Sequence, residues 1–256
     1  MVALHISYAT RVSIYNLEVV VPAFDKADEI SIALGRICET LRPLGVTFRV
    51  HVVFDGPDPV GLKRVAEANI PEVTIHQLAR QNGKGFTVRY GVEQTISEYV
   101  AYIDGDLDLD PISLVEGYQI LSQSHDKKLA CLYGSKFHQS STVNYPFKRK
   151  VLSHGYRLLT WLLVGVRVED SQTGLKLYRR DALLDAIEYS KEDRFLFDLE
   201  IFVLLKNLGF TFIAIPVHLE YKYSSSIGLR SVAIMFLDTI TLAWRMSRKR
   251  IQKSVE

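Results

Sequence analysis

The sequence predicts an α/β fold: a mostly parallel central sheet covered by helices on both faces. Three observations predict it. Short apolar runs alternate with segments whose apolar residues recur at helical spacing. The runs are mainly apolar and read as buried strands, as in a sheet covered on both faces. Polar segments follow three of them, Ala23-Phe24-Asp25, Asp55-Gly56-Pro57-Asp58 and Asp104 to Asp108, where open α/β sheets bind ligands, outside the carboxyl ends of the strands.

Leu17 to Val21, bounded by Pro22, is the first strand. Ile30, Leu34, Ile37, Cys38 and Leu41 mark a helix that Pro43 and Gly45 close. A strand over Phe48 to Phe54 ends at Asp55-Gly56-Pro57, and a helix over Val60 to Ala68 leads to a strand over Val73 to Leu78. A helix from Phe86 to Ile96 and a strand from Tyr99 to Ile103 continue the order. Asp110-Pro111 reads as the N-cap and first residue of a helix reaching Leu121. After a strand over Leu129 to Tyr133 the alternation weakens. Val151 to Val164 is an unusually apolar helix, with Leu152, Tyr156, Leu159 and Leu163 on one face. Leu175 to Tyr178 is a short strand, Leu196 to Leu208 a helix stopped by Gly209, and Phe210 to Ile215 a strand stopped by Pro216. Val232 to Trp244 is an apolar helix whose continuation is basic, in the manner of an interfacial amphipathic helix.

The 256 residues, 48% hydrophobic and 23% charged, suffice for one full core with an appendage. A net charge of +2 gives no basis for bulk electrostatic binding to nucleic acid. Basic residues cluster at Lys148-Arg149-Lys150 and at Arg245, Arg248, Lys249, Arg250 and Lys253. The two cysteines, Cys38 and Cys131, form no disulfide framework and read as core thiols in a reducing compartment. The N-terminus lacks the apolar region of a secretory signal, and no run reaches the roughly 20 apolar residues of a membrane span. A cytoplasmic chain, in solution or peripheral on a membrane, is expected.

The acidic stretch after the fourth strand carries the chemistry. Asp104, Asp106, Asp108 and Asp110 stand at alternate positions, and carboxylate oxygens are hard ligands. A D-x-D pair leaving a strand can hold one Mg²⁺ or Mn²⁺ against a substrate's phosphates. No G-x-G-x-x-G follows the first strand and no G-x-x-x-x-G-K-[ST] occurs, which argues against dinucleotide and P-loop folds. Asn82-Gly83-Lys84-Gly85 precedes a helix instead, with glycines for close approach, a helix N-terminus and a cation. Its Asn82-Gly83 pair is also a common turn signal.

Taken in order, Val19-Val20-Val21-Pro22-Ala23-Phe24, Val53-Phe54-Asp55-Gly56, Asn82-Gly83-Lys84-Gly85 with Gly91, and Asp104-Gly105-Asp106-Leu107-Asp108 resemble the family 2 glycosyltransferases with the GT-A fold. Gly134-Ser135-Lys136, Lys148-Arg149 with Ser153, Asp170 through Arg180, and Phe197-Asp198-Leu199-Glu200 resemble the branch of dolichyl- or polyprenyl-phosphate mannose and glucose synthases. The likeness runs from Leu17 to Arg230 and is most diagnostic over Asp170 to Arg180. It implies a GT-A domain over 1–230, with a nucleotide half near 17–110 and an acceptor half near 111–230, followed by an amphipathic helix and basic tail over 231–256.

The resemblance implies an inverting, metal-dependent transfer of a hexose from a nucleotide sugar, of the GDP-mannose or UDP-glucose class, to a polyprenyl or dolichyl phosphate. Pro22, Ala23 and Asp55 would border the base and ribose, with Asp55 accepting a base N–H, and Lys84 would approach the diphosphate. Asp104 and Asp106 would meet ribose, metal and diphosphate, with Asp104 facing the nucleotide and Asp106 the principal of the two ligands of Mg²⁺ or Mn²⁺. Asp108 would be an extra metal ligand, where the family often has glutamine. Lys136, Arg149, Ser153 and Lys222 would grip the acceptor phosphate; Lys136 and Lys222 stand where the branch often has arginine, which loses the bidentate fork. Asp170 and Asp106 are the catalytic candidates, and Asp170 need only orient an acceptor that is already anionic. Gln172-Thr173-Gly174 leans toward the glucose-transferring relatives. The apolar helices would rest on a membrane surface or form a dimer interface. Two other readings stay open: a transferase acting on a saccharide or glycolipid hydroxyl with Asp170 as base, and a nucleotide-sugar-binding scaffold.

Overall fold

A computed structural model of the chain describes residues 13–25, 29–106, 108–142, 147–194, 196–219 and 239–246, with the side chains of 147–154 outside that set. The strands are β1 (Leu17–Ala23), β2 (Phe48–Phe54), β3 (Val73–Gln77), β4 (Tyr99–Ile103), β5 (Leu129–Ser135), β6 (Leu175–Arg179) and β7 (Thr211–Pro216). The helices are α1 (Ile30–Leu41), α2 (Pro59–Ala68), α3 (Lys84–Glu93), α4 (Ile112–Gln123), α5 (Phe147–Val164), α6 (Arg180–Tyr189), α7 (Phe197–Asn207) and α8 (239–246). The strands form one seven-stranded sheet in the order β3-β2-β1-β4-β6-β5-β7. Only β6 runs against its neighbours, so the sheet is mixed and mostly parallel, as expected.

Period-two alternation sends each strand's side chains to two cores. Leu17, Val19 and Val21 face one core with α1 and α4, while Val20 faces another with α3, α6 and α7. The chain steps outward from β1 to β2 and β3, then returns to lay β4 on the other side of β1. That reversal opens a crevice at the carboxyl ends of β1 and β4.

Two helices start earlier than their apolar pattern suggests, α3 at Lys84 and α5 at Phe147. Helix α6 is an addition to the sequence reading. It follows β6 without a loop, and the charges of Arg179-Arg180-Asp181 hide its start, although Ala182, Leu183, Ala186 and Ile187 bury at helical spacing. Asp110 does accept from an α4 amide, that of Ile112 at 2.9 Å, with Pro111 one position outside the helix. Cys38 and Cys131 are buried and unpaired, and burial pushes the Cys38 thiol up to about 12. Of the apolar helix expected over Val232 to Trp244, residues 232–238 lie outside the described set. No helix among the described residues is long and apolar enough to cross a membrane.

A polar chain crosses β1, β2 and β3. Glu18 Oε1 lies 2.9 Å from His51 Nε2, and His51 Nδ1 lies 3.0 Å from His76 Nε2. Burial opposes ionisation of Glu18, but His51 and the N–H groups of Ile96 and Ser97 overcome it and hold its pKa below the usual value. Burial, together with the neighbouring His51, lowers the pKa of His76. Both folded-state values lie below the ordinary ones of 4.5 and 6.5, so the unfolded chain takes up protons first and stability falls with pH. The chemical-unfolding midpoint should therefore drop from pH 7 to pH 4. A His76→Gln variant should lose less than the wild type between pH 7 and pH 5, where the histidine contribution falls.

Candidate active site

A cleft of about 680 Å³ opens at the carboxyl ends of β1, β2 and β4. Pro22 and Ala23 line it from β1, Asp55 from the end of β2, and Asp104 and Asp106 from the turn after β4. The Asn82-Gly83-Lys84 turn closes one side. Gly83 has φ +108°, a backbone region that disfavours other residues. This conformation delivers the N–H groups of Asn82 and Gly83 to the two oxygens of Asp55, at 2.7 and 2.9 Å. Asp55 thus borders the cleft and also ties the end of β2 to the start of α3.

Lys84 lies in the cleft, but its ammonium is turned onto Asp104, 2.7 Å from Oδ1 and 3.0 Å from Oδ2. Burial alone would depress its pKa; the carboxylates of Asp104 and Asp198 outweigh that and raise it. The acidic turn is held to β6 through Asp104 N–H, which donates to Gly174 O at 2.8 Å. A Cβ on Gly174 would overlap the Asp104 carboxylate itself, so any larger residue there displaces that carboxylate. Asp106 Oδ1 accepts from Asp108 N–H at 3.2 Å.

Beneath this turn lies a layer built on Lys176, to which sequence reasoning gave no role, and on Asp198, read there as a helix-dipole partner or an acceptor-side group. Lys176 is wholly buried at the second position of β6, 3.1 Å from Asp198 Oδ1, and donates to Thr173 O at 2.7 Å. Tyr102 OH also donates to Asp198, whose second oxygen is 3.9 Å from Lys84. Burial lowers Lys176 to about 7, with the charge of Lys84 adding to the effect. Burial raises Asp198 to about 6, against the pull of Lys84. The available signal was a lysine between Leu175 and Leu177 in an otherwise apolar strand. The acid is the Asp198 expected at the start of a helix, but it points inward and is almost fully buried.

Beyond the carboxyl end of β5 the structure brings Lys136 and Asp170 together. Lys136 Nζ lies 3.7 Å from Asp170 Oδ2 and its backbone N–H donates to the same oxygen at 3.4 Å. Gln172 N–H donates to Asp170 Oδ1 at 3.2 Å, closing the turn that leads to Gly174. Arg149 and Ser153 fall on α5, but their side chains, like Lys222 altogether, lie outside the described residues. Arg194 also lines the cleft, from the segment between α6 and α7. A single arginine in a charged loop carries no sequence signal that could have singled it out.

The donor set tests the implied metal. Among the described residues no three acidic, histidine or cysteine side chains converge as a metal site, so Asp104, Asp106 and Asp108 do not gather as a ready-made cage. Asp104 is drawn to Lys84 and Asp106 back onto its own turn. An all-oxygen set with few protein ligands fits a hard divalent cation whose shell is completed by phosphate and water.

The same fold occurs in solved glycosyltransferases. Mannosyl-3-phosphoglycerate synthase from Rubrobacter xylanophilus superposes with a TM-score of 0.64 at 14% identity, over 94% of this chain and 77% of that one. Glucosyl-3-phosphoglycerate synthase from Mycobacterium tuberculosis, in complex with Mn²⁺, uridine diphosphate and phosphoglyceric acid, gives 0.65 at 15%, over 90% and 78%. The architecture is the GT-A fold. Residues 18–185 match Glycosyl transferase family 2, and the chain belongs to that family. Dolichyl-phosphate beta-glucosyltransferase of Mus musculus is 25% identical over 257 residues, 92% of this chain and 79% of the relative. Its Homo sapiens counterpart is 24% identical over the same shares. Glycosyltransferase AglD of Haloferax volcanii is 25% identical over 94% of this chain and 39% of its own length.

Proposed function

We propose that this family 2 glycosyltransferase moves glucose from a uridine diphosphate sugar to a dolichyl or polyprenyl phosphate at a membrane surface, with inversion at the anomeric carbon. The observation that carries the reading is the bond from Asp104 N–H to Gly174 O, which sets the acidic turn of the nucleotide half against the Asp170–Gly174 turn of the acceptor half. Glucose rather than mannose is supported by the relatives named dolichyl-phosphate beta-glucosyltransferase. An α-linked donor giving a β-linked product requires inversion.

Pro22, Ala23 and Asp55 shape the base and ribose end of the cleft, with lone pairs of Asp55 beyond its two loop bonds turned to a base N–H. Asp106 and Asp104 would hold Mg²⁺ or Mn²⁺ beside the diphosphate, with Asp108 a further oxygen donor of the same turn. The cation, when bound, neutralises charge that develops on the leaving diphosphate. Lys136, with Arg149, Ser153 and Lys222, holds the lipid phosphate, and Asp170 orients it. A phosphate oxygen attacks the anomeric carbon, the bond from that carbon to the diphosphate breaks, and uridine diphosphate leaves with the electron pair.

The lipid points to the surface the protein rests on. Leu158, Trp161 and Leu162 on α5 and Ile240 and Trp244 on α8 are exposed, and Tyr156 OH meets Thr239 Oγ1 at 3.2 Å where the two helices join. Arg167 lies over the Trp161 ring at 5.2 Å, which places a cation beside the apolar patch. This pairing suits the interface of an anionic leaflet.

Purified protein given UDP-glucose should release UDP only when divalent metal and polyprenyl phosphate are both present, and EDTA should stop it. Release that is indifferent to the lipid phosphate would sink the acceptor assignment, and unchanged turnover by Asp106→Ala would sink the metal role. Asp170→Asn is expected to slow transfer to the lipid phosphate by about 10- to 100-fold, because orientation is lost but no general base is needed. Complete loss of transfer in that variant, with donor binding intact, would favour a hydroxyl acceptor and Asp170 as base.

A further inference from the structure

The segment 190–194 between α6 and α7 lies across the turn that starts α3. Two glycines leave room for it: a Cβ on Gly83 would meet Asp193 O at 2.5 Å and Arg194 Cγ at 3.2 Å, and one on Gly85 would meet Phe197 Cβ at 2.6 Å and Glu192 O at 2.8 Å. The segment is fastened from both sides. From α3, Phe86 N–H donates to Asp193 O at 3.1 Å, and the Arg89 guanidinium donates to Glu192 O at 2.8 Å and Asp193 Oδ1 at 2.7 Å. From α7, Glu200 Oε2 accepts from Ser190 Oγ at 2.6 Å and from the N–H groups of Lys191 and Glu192, both at 2.9 Å. Arg245 on α8 then bridges Glu192 Oε1 at 2.8 Å and Glu200 Oε1 at 2.7 Å.

Charge in the cleft gives the strap a purpose. Asp55, Asp104 and Asp106 make the lining acidic, and the ammonium of Lys84 is already paired with Asp104 through two short contacts. Arg194 is exposed, lines the same cleft and makes no ion pair with any described residue. A guanidinium presents a planar fork of N–H donors that matches phosphate oxygens. The carboxylate two residues before Arg194, Glu192, is turned to Arg245 through Oε1 at 2.8 Å.

We infer that Arg194 is a diphosphate-binding residue of the donor site, held over the cleft by the Glu200–Arg245 clamp on the 190–194 strap. The inference rests on the donor reading above, and it makes Arg194, rather than Lys84, the protein cation that meets the phosphates directly. Arg245 and Glu200 are positioning residues. Because Arg245 belongs to α8, the helix that presents Ile240 and Trp244 at the surface also fixes the donor strap.

Calorimetric titration of the full chain with UDP and with uridine, and with GDP and guanosine in parallel, each with and without Mn²⁺, tests this. Arg194→Gln should weaken binding of the diphosphate by about 10- to 100-fold and leave the nucleoside unchanged. Arg245→Gln should produce the same split at about 3- to 10-fold, and Arg245→Lys should restore most of it, since one ammonium can still reach both carboxylates. Wild-type diphosphate affinity in Arg194→Gln overturns the assignment. Equal losses for nucleoside and diphosphate overturn it too, because they report a general collapse of the cleft. If the unmodified chain binds neither ligand, the donor reading itself fails, and this inference with it.

Discussion

Gly174→Ala is expected to lower turnover by about a hundredfold or more while the protein stays folded. The reason is local and steric. Strands β4 and β6 pair antiparallel up to Ile103 and Leu175, and just beyond them Asp104 N–H bonds Gly174 O at 2.8 Å. The two backbones are therefore fixed against each other, and the Asp104 carboxylate lies in the space that a Cβ on Gly174 would take. An alanine must drive that carboxylate away from Lys84 and out of the position from which we propose it meets metal and nucleotide. Metal-dependent diphosphate binding should weaken together with turnover, and the melting temperature should change by only a few degrees. Gly35→Ala on α1, where a Cβ would meet nothing within 4 Å, is the control and should leave turnover unchanged. Wild-type turnover in Gly174→Ala would show that Asp104 does not act from this position.

Lys176→Met should destabilise the fold by about 3 kcal/mol, because it removes one partner of a buried charge pair and leaves Asp198 with only the Tyr102 hydroxyl and the more distant Lys84. Lys176 is wholly buried, with its ammonium 3.1 Å from Asp198 Oδ1 and over the rings of Tyr102 and Phe202. In a chain of this size such a loss lowers the melting temperature by roughly 6–12 °C. The double variant Lys176→Met with Asp198→Leu should recover much of that stability, since neither charge then remains to be desolvated. It should not recover turnover. Asp198 also lies 3.9 Å from Lys84, whose ammonium fixes Asp104, so the buried layer supports the acidic turn as well as the core. Thermal unfolding and turnover of the three proteins, measured together, separate the two roles. A double variant no more stable than Lys176→Met would mean that packing against Tyr102 and Phe202, not charge, is what Lys176 supplies.

Much of this was legible in the chain. The unbroken apolar run Tyr99–Ile103 and the mainly apolar run Phe48–Phe54 have few alternatives to a buried strand, and they appear at those bounds. The ordered motifs named the family, because glycines and aspartates at strand ends have few other reasons to recur at those spacings. Helix α6 was not legible: its start is polar, and its few apolar residues become a core face only once α3 and α7 lie against them. Lys176 and Asp198 were visible as residues but not as a pair, being brought together when β6 slots beside β4 under α7.

The sequence by itself determined the α/β alternation, the acidic turn at the end of the fourth strand and the family, since these depend on residues close together in the chain. Only the tertiary structure decided which aspartate meets which cation. Lys84 closes on Asp104, Lys176 on Asp198 and Lys136 on Asp170 across separations that local pattern does not encode. It also decided that Arg194 is left facing the cleft. Pairing among charges is a matter of distance and burial in three dimensions, because the attraction that selects a partner is strong only at contact and away from water.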